Sequence, residues 1–146
     1  MTENTIAKNK RGLFDYEITE HFEAGIALTG GEIKSIRAKR ADISAAYARV
    51  LRGEVWLINM NLSLNGLENP TRTRKLLLHK SEINRLIGLV EQKGYALIPL
   101  YLYFKRGKAK IDIGVGRGRK KYDKRELIKK RDIAKEQRQV TSLKKV

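Results

Sequence analysis

The chain has no cysteine, two prolines and two histidines among its 146 residues. The absence of cysteine excludes disulfides, thiolate metal sites and cysteine nucleophiles. His21 and His79 are too few and too separated to suggest a zinc site, and no Ser/His/Asp order or carboxylate pair predicts catalysis. No apolar run reaches membrane-spanning length, and the polar start of the chain is unlike a signal peptide. We therefore expect a cytoplasmic protein that is not an enzyme and has neither metal nor cofactor.

Acidic residues are also scarce, because 16 Asp/Glu stand against 32 Lys/Arg and the net charge is +16. The excess is concentrated in residues 117–146, which hold 13 Lys/Arg and 4 Asp/Glu. Such a segment cannot bury enough apolar area to offset its ordering entropy, so we predict a basic tail that is disordered when free. Counterion release on a polyanion would supply affinity without a packed core, which favours RNA as the partner. We expect residues 1–12 to be mobile and residues 13–116 to form one RNA-binding domain.

Alternating apolar residues predict that this domain is mainly β. The alternation over residues 13–28 indicates a half-buried strand, and Gly25 within it suggests a bulge. Apolar runs on both sides of Arg52-Gly53 and of Arg106-Gly107 indicate two hairpins. Since hairpins dominate and no βαβ alternation is present, we predict a small closed antiparallel β-barrel of OB type with two to three helices.

Two helices are placed between the predicted strands. Thr29 and Glu32 have the spacing of a capping box, which predicts a short helix over residues 31–38. A second, amphipathic helix is indicated by apolar residues at helical spacing, namely Ile83, Leu86, Ile87 and Val90. Glu32 therefore has a structural explanation as a cap, although a carboxylate in an RNA-binding protein also accepts hydrogen bonds from base amino groups.

The loop over residues 72–75 carries three cations within four positions, Arg72, Arg74 and Lys75. It is either an ordinary solvated loop or a phosphate contact. If it contacts phosphate, charge reversal at Arg72 and Arg74 should flatten the salt dependence of RNA binding.

Glycines and aromatic residues offer weaker signals. The run Gly114, Gly116 and Gly118 lacks the spacing and the following helix of a nucleotide-binding fingerprint, so we expect these glycines to release the tail from the barrel. Trp56 is expected in the core. Either Tyr101 and Tyr103 or the alternate residues of their strand face outward, and outward tyrosines could stack on bases.

Six segments, taken in order, resemble the SsrA-binding protein family, also called small protein B. They are residues 22–28 (FEAGIAL), 32–38 (EIKSIRA), 47–49 (YAR), 74–80 (RKLLLHK), 100–104 (LYLYF) and 120–126 (KKYDKRE). The resemblance extends from Asn9 to Asp132. The shortened segment over residues 62–70 departs from the family, many of whose members have a longer loop there.

The resemblance implies a function and its residues. Members of the family bind the tRNA-like domain of transfer-messenger RNA and deliver it to stalled bacterial ribosomes, and an elongation factor is a further partner. The RNA contacts implied here are Glu32, Lys34, Ser35, Arg37, Arg72, Arg74 and Lys75. The tail would occupy the ribosomal decoding centre and the messenger channel through Gly118, Arg119, Lys120, Lys121, Tyr122, Asp123, Lys124, Arg125 and Glu126. We expect a monomer. The residues alone also allow a ribosomal or general RNA-binding structural protein without tRNA-like selectivity.

Overall fold

Strands predominate in the computed structural model of the protein, which describes residues 5–92 and 94–119. Over these residues the elements are β1 (Thr5–Lys8), α1 (Lys10–Asp15), β2 (Tyr16–Ile26), α2 (Gly30–Arg37), β3 (Ala41–Asp42), β4 (Tyr47–Leu51), β5 (Glu54–Ile58), β6 (Asn61–Leu62), β7 (Arg74–Leu77), α3 (Lys80–Val90), β8 (Tyr95–Lys105) and β9 (Lys108–Gly118). None of these helices is long and apolar enough to span a membrane.

One antiparallel sheet carries the fold. Its strands run in the order β1-β8-β4-β5-β7-β2-β9, and β8 pairs in addition with β9, while β3 and β6 form a separate two-stranded sheet. Pairing is extensive between β8 and β9 but is confined to Ala48 and Leu97 between β4 and β8. The prediction of a mainly β, antiparallel fold with few helices is therefore confirmed.

The core lies on the inner face of this sheet, where apolar residues alternate with outward-facing ones. Val55, Leu57 and Ile111 are fully buried, and α2 and α3 each add one buried apolar residue, Ile36 and Leu86. This period-two alternation places one side of each strand in the interior and leaves the other side for charged residues.

Both predicted hairpins are present. Arg52 and Gly53 connect β4 to β5 with φ values of 53° and 74°, and Arg106 and Gly107 connect β8 to β9 with φ values of 53° and 76°. Two consecutive residues with positive φ match the twist of a two-residue hairpin, and glycine at the second position adopts that conformation without steric cost.

Residues 5–12, which we expected to be mobile, instead form β1 and the first half of α1. β1 pairs with β8. Asn9 is buried, its Nδ2 donates to the Pro99 carbonyl at 2.8 Å, and its Oδ1 accepts from the Gly12 amide at 2.9 Å. The polar composition of this segment concealed it, because the pairing depends on β8, about ninety residues away in sequence.

The bulge predicted at Gly25 lies elsewhere. The register of β2 against β9 shifts between Ile18 and Glu20. Gly25 instead pairs with Leu77 on one side and Lys110 on the other, and a Cβ at this position would lie 3.3 Å from Leu77 Cβ. Close strand packing, not a bend, therefore favours glycine here.

Gly114 and Gly116 also lie inside a strand and do not release the tail. A Cβ on Gly116 would lie 2.3 Å from the Glu17 carbonyl oxygen, since β2 pairs with β9 at Ile18 and Gly116, next to the register shift. β9 continues to Gly118, opposite Tyr16, and the Arg119 amide donates to the Asp15 carbonyl at 2.7 Å. The folded body therefore includes residues 117–119, which we had assigned to the tail.

We expect Gly116→Ala to lower the free energy of unfolding by about 1–3 kcal/mol, because a backbone oxygen must move to admit the methyl group. Gly118→Ala is the matched control, since within residues 5–92 and 94–119 no atom beyond its chain neighbours lies within 4 Å of the added Cβ. Urea denaturation of the two variants measures the difference. Equal stability of both variants would contradict the close approach at Gly116.

Candidate nucleic-acid interface

The predicted capping box begins α2 and positions Glu32. Thr29 Oγ1 accepts from the Glu32 amide at 3.3 Å, and the Thr29 amide donates to Glu32 Oε1 at 2.9 Å. The reciprocal bonds fix the first turn of α2 and direct the Glu32 carboxylate away from solvent. Glu32 as a residue is 3% exposed.

Glu32 is also the centre of a buried ion-pair network. Arg72 donates from Nη2 to Glu32 Oε1 at 2.7 Å and from Nε to Oε2 at 3.1 Å. Arg74 donates from Nε to Oε2 at 2.8 Å, and its Nη1 and Nη2 donate to the carbonyls of Met60 and Pro70. One carboxylate thereby joins α2 to the start of β7 and to the loop before it.

The network shifts the pKa of all three groups. Burial alone would raise the pKa of Glu32, but hydrogen bonds from Arg72, Thr29 and Arg74 outweigh it and lower the pKa to about 2. Burial lowers the pKa of Arg74, whereas the hydrogen bond to Glu32 raises that of Arg72. Glu32 is therefore ionised throughout the neutral range and balances the charge of a fully buried arginine.

Three of the predicted RNA contacts are structural instead. Arg74 and Ser35 have no exposed surface, and Ser35 Oγ donates to the Arg40 carbonyl at 2.7 Å. The Glu32 oxygens already accept bonds from the backbone and from two arginines. These side chains offer RNA no direct contact, and charge reversal at Arg74 would disrupt the fold before it tested the interface.

The remaining predicted contacts do reach the surface. Lys34 and Arg37 are exposed on α2. Arg72 lies at the edge of the network with its side chain 40% exposed. Lys75 is also partly exposed, although its Nζ lies 3.1 Å from Glu54 Oε1. α2 and the start of β7 thus carry solvent-exposed cations, and the hydrogen bonds of Glu32 hold these two elements together.

Sequence reasoning missed a groove beside α2. The cavity has a volume of about 280 Å³, and we name it the α2 groove. Its lining residues include Gly25, Leu28, Ile33, Arg37, Leu77 and Lys110. Apolar side chains line it together with three cations, Arg37, Lys108 and Lys110. The alternation of Lys108 and Lys110 in sequence marks one strand face, but only the pairing of β9 with β2 brings that face beside α2.

The aromatic residues differ in what they can offer. Trp56 is not in the core: it is half-buried on the outer sheet face, between Arg49 and Lys75. Tyr103 is buried and its hydroxyl donates to Glu23 at 2.5 Å, so it is not a stacking surface. Tyr101 is half-buried, with the Lys8 ammonium 5.9 Å from its ring centre.

The predicted tail contacts divide at the end of β9. Gly118 ends the strand, and Arg119 is anchored through its amide. The others, Lys120, Lys121, Tyr122, Asp123, Lys124, Arg125 and Glu126, lie outside the described residues. Among residues 5–92 and 94–119, no cluster of His, Asp or Glu could hold a metal ion.

Comparison with known proteins agrees with this architecture. The family model described as SmpB protein matches residues 6–143. The SsrA-binding protein of Geobacillus sp. is 52% identical over 136 residues, covering 90% of this chain and 88% of the relative. That of Bacillus subtilis is 50% identical, with 90% and 87% covered.

A solved structure is similar as well. It is described as "tmRNA-SmpB: a journey to the center of the bacterial ribosome", has a TM-score of 0.66 and 48% identity, and covers 78% of this chain and 84% of its own. Since a family model spans nearly the whole sequence and the relatives are about half identical, this chain belongs to the SmpB family of SsrA-binding proteins.

Proposed function

We propose that this protein binds transfer-messenger RNA and brings it to stalled ribosomes for trans-translation. The proposal rests on membership of the family, whose relatives are named SsrA-binding proteins and include one described with the bacterial ribosome. Its partners are the RNA and the ribosome, and its work is binding, not catalysis. Acting on the ribosome, it would work in the cytoplasm.

The observation that carries the site is the rigid basic face around α2. Lys34 and Arg37 project from a helix whose first turn is capped, and Arg72 is held by two hydrogen bonds to Glu32. Because these bonds hold Arg72 in place, its side chain loses little entropy when it meets a phosphate. A folded tRNA-like RNA presents phosphates and 2′-hydroxyls in a fixed shape, which such a face can recognise without reading sequence.

The finer assignments extend this proposal. The ring of pairings from β8 through β4, β5, β7 and β2 to β9 and back to β8 supports a small closed barrel of OB type. Residues 120–146 would enter the decoding centre and the messenger channel, and Gly118 and Arg119 would set where that segment leaves the body. An elongation factor remains a partner implied by the resemblance alone.

Single substitutions on α2 test the site. We expect Lys34→Ala and Arg37→Ala each to weaken binding of a tRNA-like domain and to reduce the slope of log affinity against log salt by about one. Lys10→Ala removes another exposed cation, on α1 before the start of β2, and should leave both quantities unchanged. A titration at four salt concentrations measures the slopes. Unchanged slopes for both α2 variants would show that this face does not touch phosphate.

A further inference from the structure

A second cavity opens where β4 and β8 separate. Because these strands pair only at Ala48 and Leu97, the sheet parts on one side of that contact and leaves a cleft of about 580 Å³. Helix α1 and the short segment of Ser44, Ala45 and Ala46 contribute to its walls. The volume is typical of a ligand site. Neither the capping network nor the α2 groove reaches it.

The lining of this cleft, which we name the β4–β8 cleft, combines aromatic rings with cations. Tyr16, Tyr47 and Tyr95 line it, and Tyr47 is 48% exposed. Two exposed arginines, Arg11 and Arg49, lie beside them. Aromatic rings stack on the face of an unpaired base, and arginines donate hydrogen bonds to the phosphates of the nucleotide, whatever the base.

The same lining disfavours a small polar metabolite. Asp15 is the only acidic residue among the described lining residues, and Arg11 lies 3.4 Å from it. Asn9 is the buried polar side chain of the cleft, and its amide is already bonded to Pro99 and Gly12. Among the described lining residues no other buried polar side chain remains to orient a compact ligand, whereas stacking and phosphate contacts need none.

The position of the cleft in the fold indicates which RNA would supply a nucleotide to it. Tyr16 begins β2 and Ile26 ends it, so the cleft and the α2 groove lie at opposite ends of a strand about 33 Å long. β9 ends at Gly118, opposite Tyr16, and the Arg117 guanidinium lies 4.7 Å from the Tyr95 ring. The cleft therefore adjoins the point where the basic tail leaves the body.

We infer that the β4–β8 cleft binds an unpaired nucleotide of ribosomal RNA, with the base against Tyr47 and phosphates near Arg11 and Arg49. The inference rests on the proposed function, which assigns the α2 end to the tRNA-like RNA and the tail end to the ribosome. A protein that grips one RNA at each end would hold the tRNA-like RNA at a fixed distance from the ribosomal surface.

Tyr47→Ala tests the stacking. In the full-length protein loaded with transfer-messenger RNA, it should weaken binding to purified ribosomes by roughly 5- to 100-fold. Tyr47→Phe keeps the ring and should restore affinity. Leu51→Ala removes a side chain of similar exposure from the same strand outside the cleft and is the matched control. Arg49→Ala gives an independent second variant that should also weaken ribosome binding.

Binding of the isolated tRNA-like domain separates this inference from the function it rests on. If wild-type protein does not prefer that domain, the proposed function fails regardless of Tyr47. If Tyr47→Ala and Arg49→Ala reduce affinity for that domain and not for the ribosome, the nucleotide belongs to transfer-messenger RNA and the inference is overturned. Unchanged ribosome affinity for both variants overturns it as well.

The absence of cysteine allows the contact to be mapped directly. Ser44→Cys places a single thiol at the cleft, and Ser81→Cys places one on α3 as the control. A short photoactivated crosslinker on each thiol is irradiated in the ribosome-bound complex. The inference expects the Ser44 probe to label ribosomal RNA at one site that the Ser81 probe does not label. Labelling of a ribosomal protein alone would overturn it.

Discussion

Replacing Glu32 with glutamine should lower the free energy of unfolding by about 3–5 kcal/mol, since it leaves the buried charge of Arg74 without its partner. Glutamine keeps the shape and the cap to Thr29 but removes the negative charge. Guanidinium denaturation at pH 7 gives the difference. The same variant should lose RNA affinity, because Arg72 is no longer held in place.

A double-mutant cycle distinguishes loss of the Glu32–Arg74 ion pair from loss of the helix cap at Thr29. Arg74→Met removes the buried cation and keeps most of the apolar stem. Combined with Glu32→Gln, it should be less destabilising than the sum of the two single changes, with a coupling of about 1–3 kcal/mol. Arg72→Met should cost less than Arg74→Met because Arg72 is partly solvated. Additive effects, or a loss below about 1 kcal/mol for Glu32→Gln, would contradict a network centred on Glu32.

Acid sensitivity should follow from the same carboxylate. The pKa of Glu32 is about 2 in the folded protein against an ordinary value of 4.5, so its stabilisation is fully present above pH 4.5. It should be lost as the pH falls towards 2, by about 3 kcal/mol in all. The wild type should therefore lose more stability than Glu32→Gln between these values. Parallel curves of unfolding free energy against pH would rule this out.

Removing residues 120–146 should abolish rescue of stalled ribosomes while keeping selective RNA binding. The deleted segment carries a net charge of +7, so total affinity and its salt slope should fall for every RNA. The preference for a tRNA-like domain should remain, because the α2 face and the capping network are intact. Peptide tagging in a reconstituted translation system and RNA titrations measure the two functions separately.

The position of the cut provides the control. Truncation after Gly116 also removes residues 117–119, including the last pairings of β9 with β2 and the bond from the Arg119 amide to the Asp15 carbonyl. That variant should be less stable than the one that ends at Arg119. If the chain ending at Arg119 lost its preference for tRNA-like RNA, the separation between the body and the tail would be wrong.

Local sequence patterns predicted the parts of the fold whose partners are close in sequence. Two hairpins, at Arg52-Gly53 and Arg106-Gly107, and the cap at Thr29 depend only on residues within a few positions. Their sequence motifs can therefore be recognised without knowing the rest of the fold. β1, the close approach at Gly116 and the position of the bulge depend on strands far away in the chain. The local sequence around these residues therefore gives no signal of those long-range pairings.

The site shows the same division. The capping box identified Glu32, but its partners Arg72 and Arg74 are 40 and 42 residues away, and their sequence context reads as an ordinary basic loop. Arg74 shows the consequence most clearly, since a residue expected on the surface is fully buried. The resemblance pointed to these segments as RNA contacts, but only the folded geometry separates buried from exposed cations within them.

The most direct test of the proposed function is a binding titration of the full-length protein at near-physiological salt. Three RNAs are compared: a transfer-messenger tRNA-like domain, an ordinary tRNA and an unstructured strand. We expect a clear preference for the first, because a fixed basic face recognises shape as well as charge. Equal affinity for all three would contradict selective recognition and leave only a general RNA-binding protein.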